Sequence, residues 1–511
     1  MWWLGIVVGV AHAMSYRFEL ISLGIALISF AVLFFVHIQL KTKSARCALW
    51  MLFGLGYYVT SLFWVNGYLA DEYGDASWIR WGLWPLLIFI LSLSFLIVPI
   101  VTLGLSRRSA LVTLPFVLVS IDILRELTSF SFSWLHPGFL FQDVGLSGWL
   151  SVIGAFGGSF LVYVVASLLV YVFINRSSPA RPLSQFVMSI LVIVALDKGI
   201  QAVNNYYFSP DQAKVRMIHG NFSGTHKLSK NEVIERVQRY ASLSLQAPRA
   251  DIVVWPESSM SMPYREIAPF VQESLQKIDD KHVVVIWGGQ ARNGQHLQNV
   301  IYRNDELAPI YYKQRLVPFG EYRPTWFIDW MERVTLSRGG DMQVVPNTSN
   351  VHNIGPLKAV LAVCYEALYS DVFASKLQSG NVAILLSDVE WTQTPWVKQF
   401  LLKLTQVRAA EVGKSIIYPT NQGFTSLVAP NGDVLSQVTH QRTQVLDVVV
   451  PLQTRQTLYT QYGHQWLLWL SVGVLLLLHA LNQLGLTNVR STHNKRLFSA
   501  AKNNETRIRH G

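Results

Sequence analysis

Over the first 200 positions apolar residues do not alternate with polar ones; they run together in blocks. Such blocks lie near 20–40, 47–65, 81–105, 109–127, 150–174, 187–203 and 464–486, with a shorter one at 2–14. A helix rises about 1.5 Å per residue, so about 20 apolar residues cross a hydrocarbon layer about 30 Å thick. The pattern predicts eight membrane spans, seven of them before residue 205. Residues 1–14 have no basic leading region and no clear small-residue cleavage site, so the first block is read as retained and not as a signal peptide.

Between 205 and 460 the texture changes. Short apolar runs read as strands at 215–220, 251–255, 282–288, 298–303, 358–363, 381–387, 415–419, 425–429 and 443–450. They alternate with amphipathic stretches that read as helices near 229–246, 265–278, 370–379 and 396–412. Asn-Gly-Asp at 431–433 is a hairpin signal. The expected organisation is a membrane bundle at 1–204, a soluble domain at 205–460, a last span at 461–486 and a basic tail at 487–511.

Composition agrees. The chain of 511 residues is 51% hydrophobic and only 14% charged, with 17 Trp; an ordinary soluble protein is about 25% charged. Disorder and collagen are excluded. The net charge of +11 sits in alternate short loops. Lys41, Lys43 and Arg46, then Arg107 and Arg108, then Arg176 and Arg181 follow the second, fourth and sixth blocks, and the tail carries Arg490, Lys495, Arg496, Lys502, Arg507 and Arg509. The intervening loops are acidic (Asp71, Glu72, Asp75) or, at 128–149, free of Lys and Arg. Basic loops resist translocation. Both termini are therefore expected in the cytoplasm and the 205–460 domain on the far side, in a bacterium the periplasm. The basic balance reports topology, and no nucleic-acid partner is expected.

The two cysteines are then separated by the bilayer. Cys47 falls at the cytoplasmic end of a span and Cys364 in the exported domain, so they cannot pair. An unpaired exported thiol is either a small buried apolar residue or a reactive group. Residues 358–363 (KAVLAV) read as a buried strand, Cys364 ends it, and 366–377 has helical texture. A helix N-terminus beneath the thiol is expected to lower its pKa. Two other strands end alike: DIVVWPE presents Glu257 after Pro256, and IYYKQRLVPFGEY presents Lys313 before a Pro-Phe-Gly turn and Glu321. A carboxylate, an ammonium and a thiol at strand ends can serve as general base, oxyanion stabiliser and nucleophile. Taken singly, Glu257 also reads as a helix cap and Lys313 as a solvated charge.

Together the three segments are more specific. WPE, then Lys313 followed by LVPFGEY, then CYE, at spacings of 56 and 51 residues, resemble the Glu-Lys-Cys triad of the nitrilase, or carbon-nitrogen hydrolase, superfamily. With seven spans before that domain and one after, nearly the whole chain resembles the apolipoprotein N-acyltransferase family. SIDILRE followed by FSW at 132–134 is similar to that family's acidic-x-x-Arg and Phe-Pro-Trp pattern, and PTNQG at 419–423 to its Thr-Asn-x-Gly turn. The resemblance implies a multi-pass α-helical membrane domain in a bacterial inner membrane with an inserted periplasmic nitrilase-like α-β-β-α sandwich.

It also implies a two-step acyl transfer. A membrane phospholipid, typically phosphatidylethanolamine, would give its sn-1 acyl chain to Cys364 as a thioester. The free amine of the S-diacylglyceryl-cysteine at an apolipoprotein N-terminus would then take it. By position Glu257 would be the base, Lys313 with the backbone N–H of Tyr365 would hold the oxyanion, and Glu321 and Glu366 would orient Lys313 or the substrate amine. No cofactor is implied, and no His pair stands at metal-ligand spacing beside a carboxylate, so no metal is expected. A membrane-anchored chain is expected to be a monomer. Two other classes stay open: a membrane-tethered amidase of the same triad that transfers to water, and a transporter or scaffold whose domain has lost activity.

The chain departs from the family pattern after residue 384. The usual Asp of that segment falls on Val389 and a usual Gln-His pair on Phe400 and Leu401, which leaves open a divergent paralogue acylating a different amine. Residues 322–350 carry Trp326, Phe327 and Trp330, then Gly339 and Gly340. They read either as a hinged lid that dips into the membrane to admit lipid or as an apolar loop packed on its own domain. Asp122 and Arg125 share a helix face in a span; they read as a self-neutralising pair or as a contact to a lipid headgroup or the domain above.

Overall fold

A computed structural model of the chain describes residues 1–73, 77–127, 134–175, 180–206, 211–224, 228–248, 250–306, 308–318, 320–322, 342–347, 349, 351–438 and 442–484. The lid positions Trp326, Phe327, Trp330, Gly339 and Gly340 lie outside the described residues, as does the basic tail.

Among the described residues, five helices are long and apolar enough to cross a membrane: Ser22–Gln39, Arg80–Val101, Ser147–Ile174, Ala180–Asn205 and Gln465–Gln483. Lys43–Ser61 and Phe63–Ala70, bent by 50°, make a sixth if taken as one span. The expected eight also included Leu4–Ser15, only 12 residues long, and Arg107–Leu127, which carries charge at both ends through Arg107, Arg108, Asp122, Arg125 and Glu126. Of an 18-residue apolar stretch in each, only 6% is buried in Ala180–Asn205 and 11% in Gln465–Gln483, and Met188, Leu191, Trp469 and Leu476 stand exposed. Apolar surface on that scale is unfavourable in water and suits these helices to a lipid environment.

The remaining helices pack closely through small residues. A Cβ added at Gly5 or Gly9 would lie 2.2 Å from the carbonyl oxygen of Leu49 or Phe53, and one at Gly56 would lie 2.3 Å from that of Ile6. Leu4–Ser15 therefore meets Lys43–Ser61 at backbone contact, the way small residues pair helices in lipid.

The 205–460 region holds two sheets. Strands β1 (Gln212–His219), β2 (Ile252–Val254), β3 (Met260–Pro263), β4 (Val284–Asn293), β5 (His296–Arg303) and β6 (Tyr311–Tyr312) join β13 (Gln444–Pro451) in the order β13-β1-β2-β4-β5-β6, with β3 beside β4. Strands β7 (His352–Ile354), β8 (Leu357–Val363), β9 (Val382–Leu386), β10 (Ser415–Tyr418), β11 (Ser426–Val428) and β12 (Val434–Gln437) form the second, in the order β12-β11-β10-β9-β8-β7. The central strands β2, β4 and β8 to β10 make parallel pairs and read as continuous apolar runs because both their faces are covered.

Val215, Met217, Val254 and Ile286 of the first sheet meet Leu361, Val363, Ile384 and Leu386 of the second in one core. Helices Lys230–Ser244 and Tyr264–Asp279 cover the outer face of the first sheet through Val233, Val237, Ile267 and Val271. Ser229 and Glu232 form a capping box that starts the first of them. The outer layer of the second sheet includes helix Pro395–Val412, whose Phe400, Leu404 and Val407 share one continuous core with Phe30, Leu118 and Phe156 of the spans. The α-β-β-α layering is present, with its last helical layer resting on the membrane bundle. Strands β3 and β7, four and three residues long, were not expected; β6 is the strand expected just before Lys313, and β12 follows the hairpin signal at 431–433.

Candidate active site

Three strand ends converge. β2 runs out into Trp255, Pro256 and Glu257, and the Trp255 N–H still pairs with the Ile286 carbonyl at 2.8 Å, so the strand's course is fixed up to the carboxylate. Gly288 of β4 lies beneath: an added Cβ would stand 2.6 Å from Glu257 Cα. Lys313 follows β6 and gives its backbone N–H to the Asn299 carbonyl of β5 at 2.9 Å. Cys364 follows β8 with φ of 47°, a conformation that non-glycine residues rarely adopt and that clusters at functional sites. The chain then turns through a short 3-10 helix, Cys364–Leu368.

The side chains form one network. Glu257 Oε1 accepts from Lys313 Nζ at 3.2 Å and from Asn299 Nδ2 at 2.9 Å, and Glu257 Oε2 accepts the Asp388 N–H at 2.9 Å. Lys313 Nζ also donates to Glu321 Oε1 at 2.7 Å, and Asn299 Nδ2 to that oxygen at 2.9 Å. Glu321 Oε2 takes the Val317 N–H at 2.8 Å. Cys364 Sγ lies 3.7 Å from the Asp388 carbonyl oxygen, so the residue that holds Glu257 also abuts the thiol. Lys313 is 2% exposed, Glu257 6% and Cys364 8%. Charges in so dry a pocket act strongly on one another.

Burial pulls the Lys313 ammonium down, but Glu257 and Glu321 carry it above its ordinary range. Burial pushes the Cys364 thiol well up; Glu257 adds to this and Lys313 opposes it. The expected lowering of the thiol pKa is thus reversed. Its following helical turn is only five residues long, too short for much of a dipole, and two carboxylates against one ammonium leave the pocket net negative. A thiol that rests protonated beside an acceptor carboxylate and an ammonium has what base-assisted attack on a carbonyl needs.

Glu366 is fully buried. It accepts the Tyr311 hydroxyl at 2.9 Å and the N–H groups of Gln314 and Val363, each at 2.7 Å. It therefore ties the chain on both sides of Lys313 to the residue before Cys364. Burial raises its pKa. Tyr365 is partly exposed, its ring 5.5 Å from that of Tyr369.

The other expected positions sit elsewhere. Asp122 and Arg125 form an ion pair, with the Tyr163 hydroxyl on Asp122 at 2.6 Å and Tyr58 accepting from Arg125. Val389, Phe400 and Leu401 are buried; Phe400 packs on Trp134 with centroids 4.7 Å apart. The departures from the family pattern thus fall in packed contacts outside the triad. Asn299 was not singled out from the sequence, because an amide within a strand has no spacing or turn to mark it.

Residues 8–168 match the apolipoprotein N-acyltransferase N-terminal domain and residues 215–459 the carbon-nitrogen hydrolase family. Among similar proteins, the apolipoprotein N-acyltransferase of Neisseria meningitidis is 25% identical, covering 86% of this chain and 88% of its own length. That of Pseudomonas putida is 27% identical over the same shares, and that of Rickettsia typhi is 24% identical over 94% and 97%. Among solved structures, an amidase from Nesterenkonia sp. AN1 has a TM-score of 0.37 at 15% identity, covering 51% of this chain and 97% of its own.

Proposed function

We propose, for a chain that belongs to the apolipoprotein N-acyltransferase family, that Cys364 carries an acyl group from a membrane phospholipid to the N-terminal amine of a lipoprotein precursor. The observation that carries this reading is the meeting of Glu257, Lys313 and Cys364 in one nearly dry pocket, on a domain whose outer layer shares a core with the apolar helix bundle.

Both lone pairs of Glu257 Oε1 are taken by Lys313 and Asn299, whereas Oε2 holds only the Asp388 N–H. Oε2 is then the basic atom. It takes the thiol proton as sulfur adds to the ester carbonyl of the lipid. The Lys313 ammonium and the Tyr365 N–H hold the oxyanion, and the carbonyl C–O bond to the glycerol breaks. The departing lysophospholipid oxygen receives the proton from Glu257, leaving a thioester on Cys364. In the second half the uncharged amine of an S-diacylglyceryl-cysteine adds to the thioester and passes its proton to Glu257. The C–S bond breaks, and the sulfur recovers that proton as the amide forms. Glu321 holds Lys313, and Glu366 holds the two loops together. A dry site favours the amine over water as acceptor.

The same proposal takes phosphatidylethanolamine as donor and a monomer as the working unit. It places eight spans in a bacterial inner membrane, with boundaries at 204, 460 and 486, both termini in the cytoplasm and the catalytic domain in the periplasm. The Lys and Arg asymmetry of the loops supports that orientation.

The test is a chase. Protein loaded with a labelled acyl chain from phosphatidylethanolamine is freed of lipid and mixed with a diacylglyceryl-cysteinyl peptide. Label should pass to the free amine and not to an N-acetylated control. Release of the label as free fatty acid with either peptide would instead indicate a hydrolase.

A further inference from the structure

We propose that Arg315 and Asp371, a half-exposed ion pair on the rim of the pocket, receive the headgroup of the donor lipid, the guanidinium taking its phosphodiester and the carboxylate its ammonium. The inference deepens the reading of Cys364 as the acyl carrier from phosphatidylethanolamine and rests on it. Arg315 Nη2 lies 2.7 Å from Asp371 Oδ2, with the two side chains 41% and 50% exposed. The guanidinium carbon stands 4.9 Å from the centre of the Tyr369 ring. Among the described residues, Nε and Nη1 of Arg315 make no hydrogen bond, so part of the donor fork is unused.

The backbone puts this pair beside the reacting atoms. Arg315 is two residues past Lys313, and its N–H points at Glu366 Oε1 at 3.3 Å, so the loop that carries the ammonium also carries the guanidinium. Tyr369, which supports the guanidinium, has its ring 5.5 Å from that of Tyr365, the residue after Cys364. On the other side the pair adjoins the membrane bundle. Ser370, next to Asp371, donates to Glu126 Oε1 at 2.8 Å and lies 3.2 Å from His464 Nδ1. Glu126 is in the last turn of Arg107–Leu127, and His464 immediately precedes Gln465–Gln483. An apolar helix ends where hydrocarbon gives way to headgroups. The pair therefore stands between the nucleophile and the level at which a phospholipid carries its phosphate.

An ion pair this exposed contributes little to stability, so its two groups can exchange each other for a ligand at small cost. A planar guanidinium binds a phosphodiester through two parallel N–H···O bonds. In the ethanolamine headgroup the ammonium follows the phosphate by two carbons, so each charge of the headgroup meets its opposite on the rim. Held there, the lipid keeps its ester groups on the pocket side, and binding of a part remote from the reaction helps to fix the ester carbonyl against the thiol.

The experiment compares acylation of Cys364 in detergent from phosphatidylethanolamine, phosphatidylglycerol and an uncharged p-nitrophenyl ester of the same acyl chain. The proteins are the unaltered chain, Arg315→Gln, Arg315→Lys and Asp371→Asn. In Arg315→Gln, kcat/KM for phosphatidylethanolamine relative to the p-nitrophenyl ester should fall about tenfold, mainly through KM, as loss of a charge-assisted bond to phosphate requires. Arg315→Lys, which keeps the charge and loses the fork, should lie between. Asp371→Asn should lower the ratio of phosphatidylethanolamine to phosphatidylglycerol turnover severalfold. Equal falls with phospholipid and ester would reduce the pair to a structural tie and overturn the proposal, as would ratios that do not move. Inorganic phosphate that slows acylation from lipid and ester alike would mark a site for a free anion and overturn it too. If the unaltered protein takes the acyl group from the ester but from neither phospholipid, the functional reading fails and this inference with it. Acylation from phospholipid with unmoved ratios sinks the inference alone.

Discussion

Cys364 is a buried thiol that must lose its proton to act. Free cysteine ionises at about 8.5; here burial and Glu257 raise the value, and Lys313 and a hydrogen bond with Ser387 oppose them. Consumption of iodoacetamide by Cys364 should therefore keep rising past about pH 9. Lys313→Met should move that rise higher still, since it removes an opposing charge. The readout is the midpoint, because burial slows access at every pH; a midpoint below about 7 would mean a resident thiolate and a different mechanism. The triad was legible because each member closes an apolar strand beside a turn or helical stretch. The sign of the thiol shift was not. It depends on burial and on Glu257 and Lys313, which lie far from Cys364 in the chain.

At the scale of elements, the joint between catalytic domain and membrane is built on a broken helix. Ser147–Ile174 departs from helical geometry at Gly154, where φ is 66° and ψ is −177°, and an added Cβ would meet the Tyr459 ring at 2.2 Å. The break frees the Ala155 N–H, which Glu411 Oε1 takes at 2.7 Å. Glu411 also pairs with Arg408, whose Nε donates at 2.9 Å to the Ala367 carbonyl, in the turn that starts at Cys364. A carboxylate on helix Pro395–Val412 thus links a membrane helix to the nucleophile's turn. Glu411→Ala would take the carboxylate from the buried Arg408 guanidinium and leave the buried Ala155 N–H without its acceptor, a loss of about 3–5 kcal/mol. It should lower the thermal midpoint in detergent by several degrees, and Gly154→Ala should act in the same direction; unchanged midpoints would show that the joint contributes little. This joint was not legible in advance, since a glycine in an apolar run and an acid in an amphipathic helix are each ordinary. The long apolar strands, β8 to β10 among them, were legible from their unbroken runs.

The whole molecule is a bundle of apolar helices whose core continues into the outer layer of a two-sheet domain. Block length made the apolar helices legible. The docking of Leu4–Ser15 through Gly5 and Gly9 and the bend after Lys43–Ser61 were not, because both depend on which helices meet. Acyl transfer through Cys364 is tested most directly by intact-mass spectrometry of the purified protein after incubation with phosphatidylethanolamine. One acyl group should be added, mapped by digestion to Cys364. It should be absent in Cys364→Ala and formed at least about 100-fold more slowly in Glu257→Gln, as loss of a general base requires. No adduct on the unaltered protein, or an adduct that survives Cys364→Ala, would contradict it.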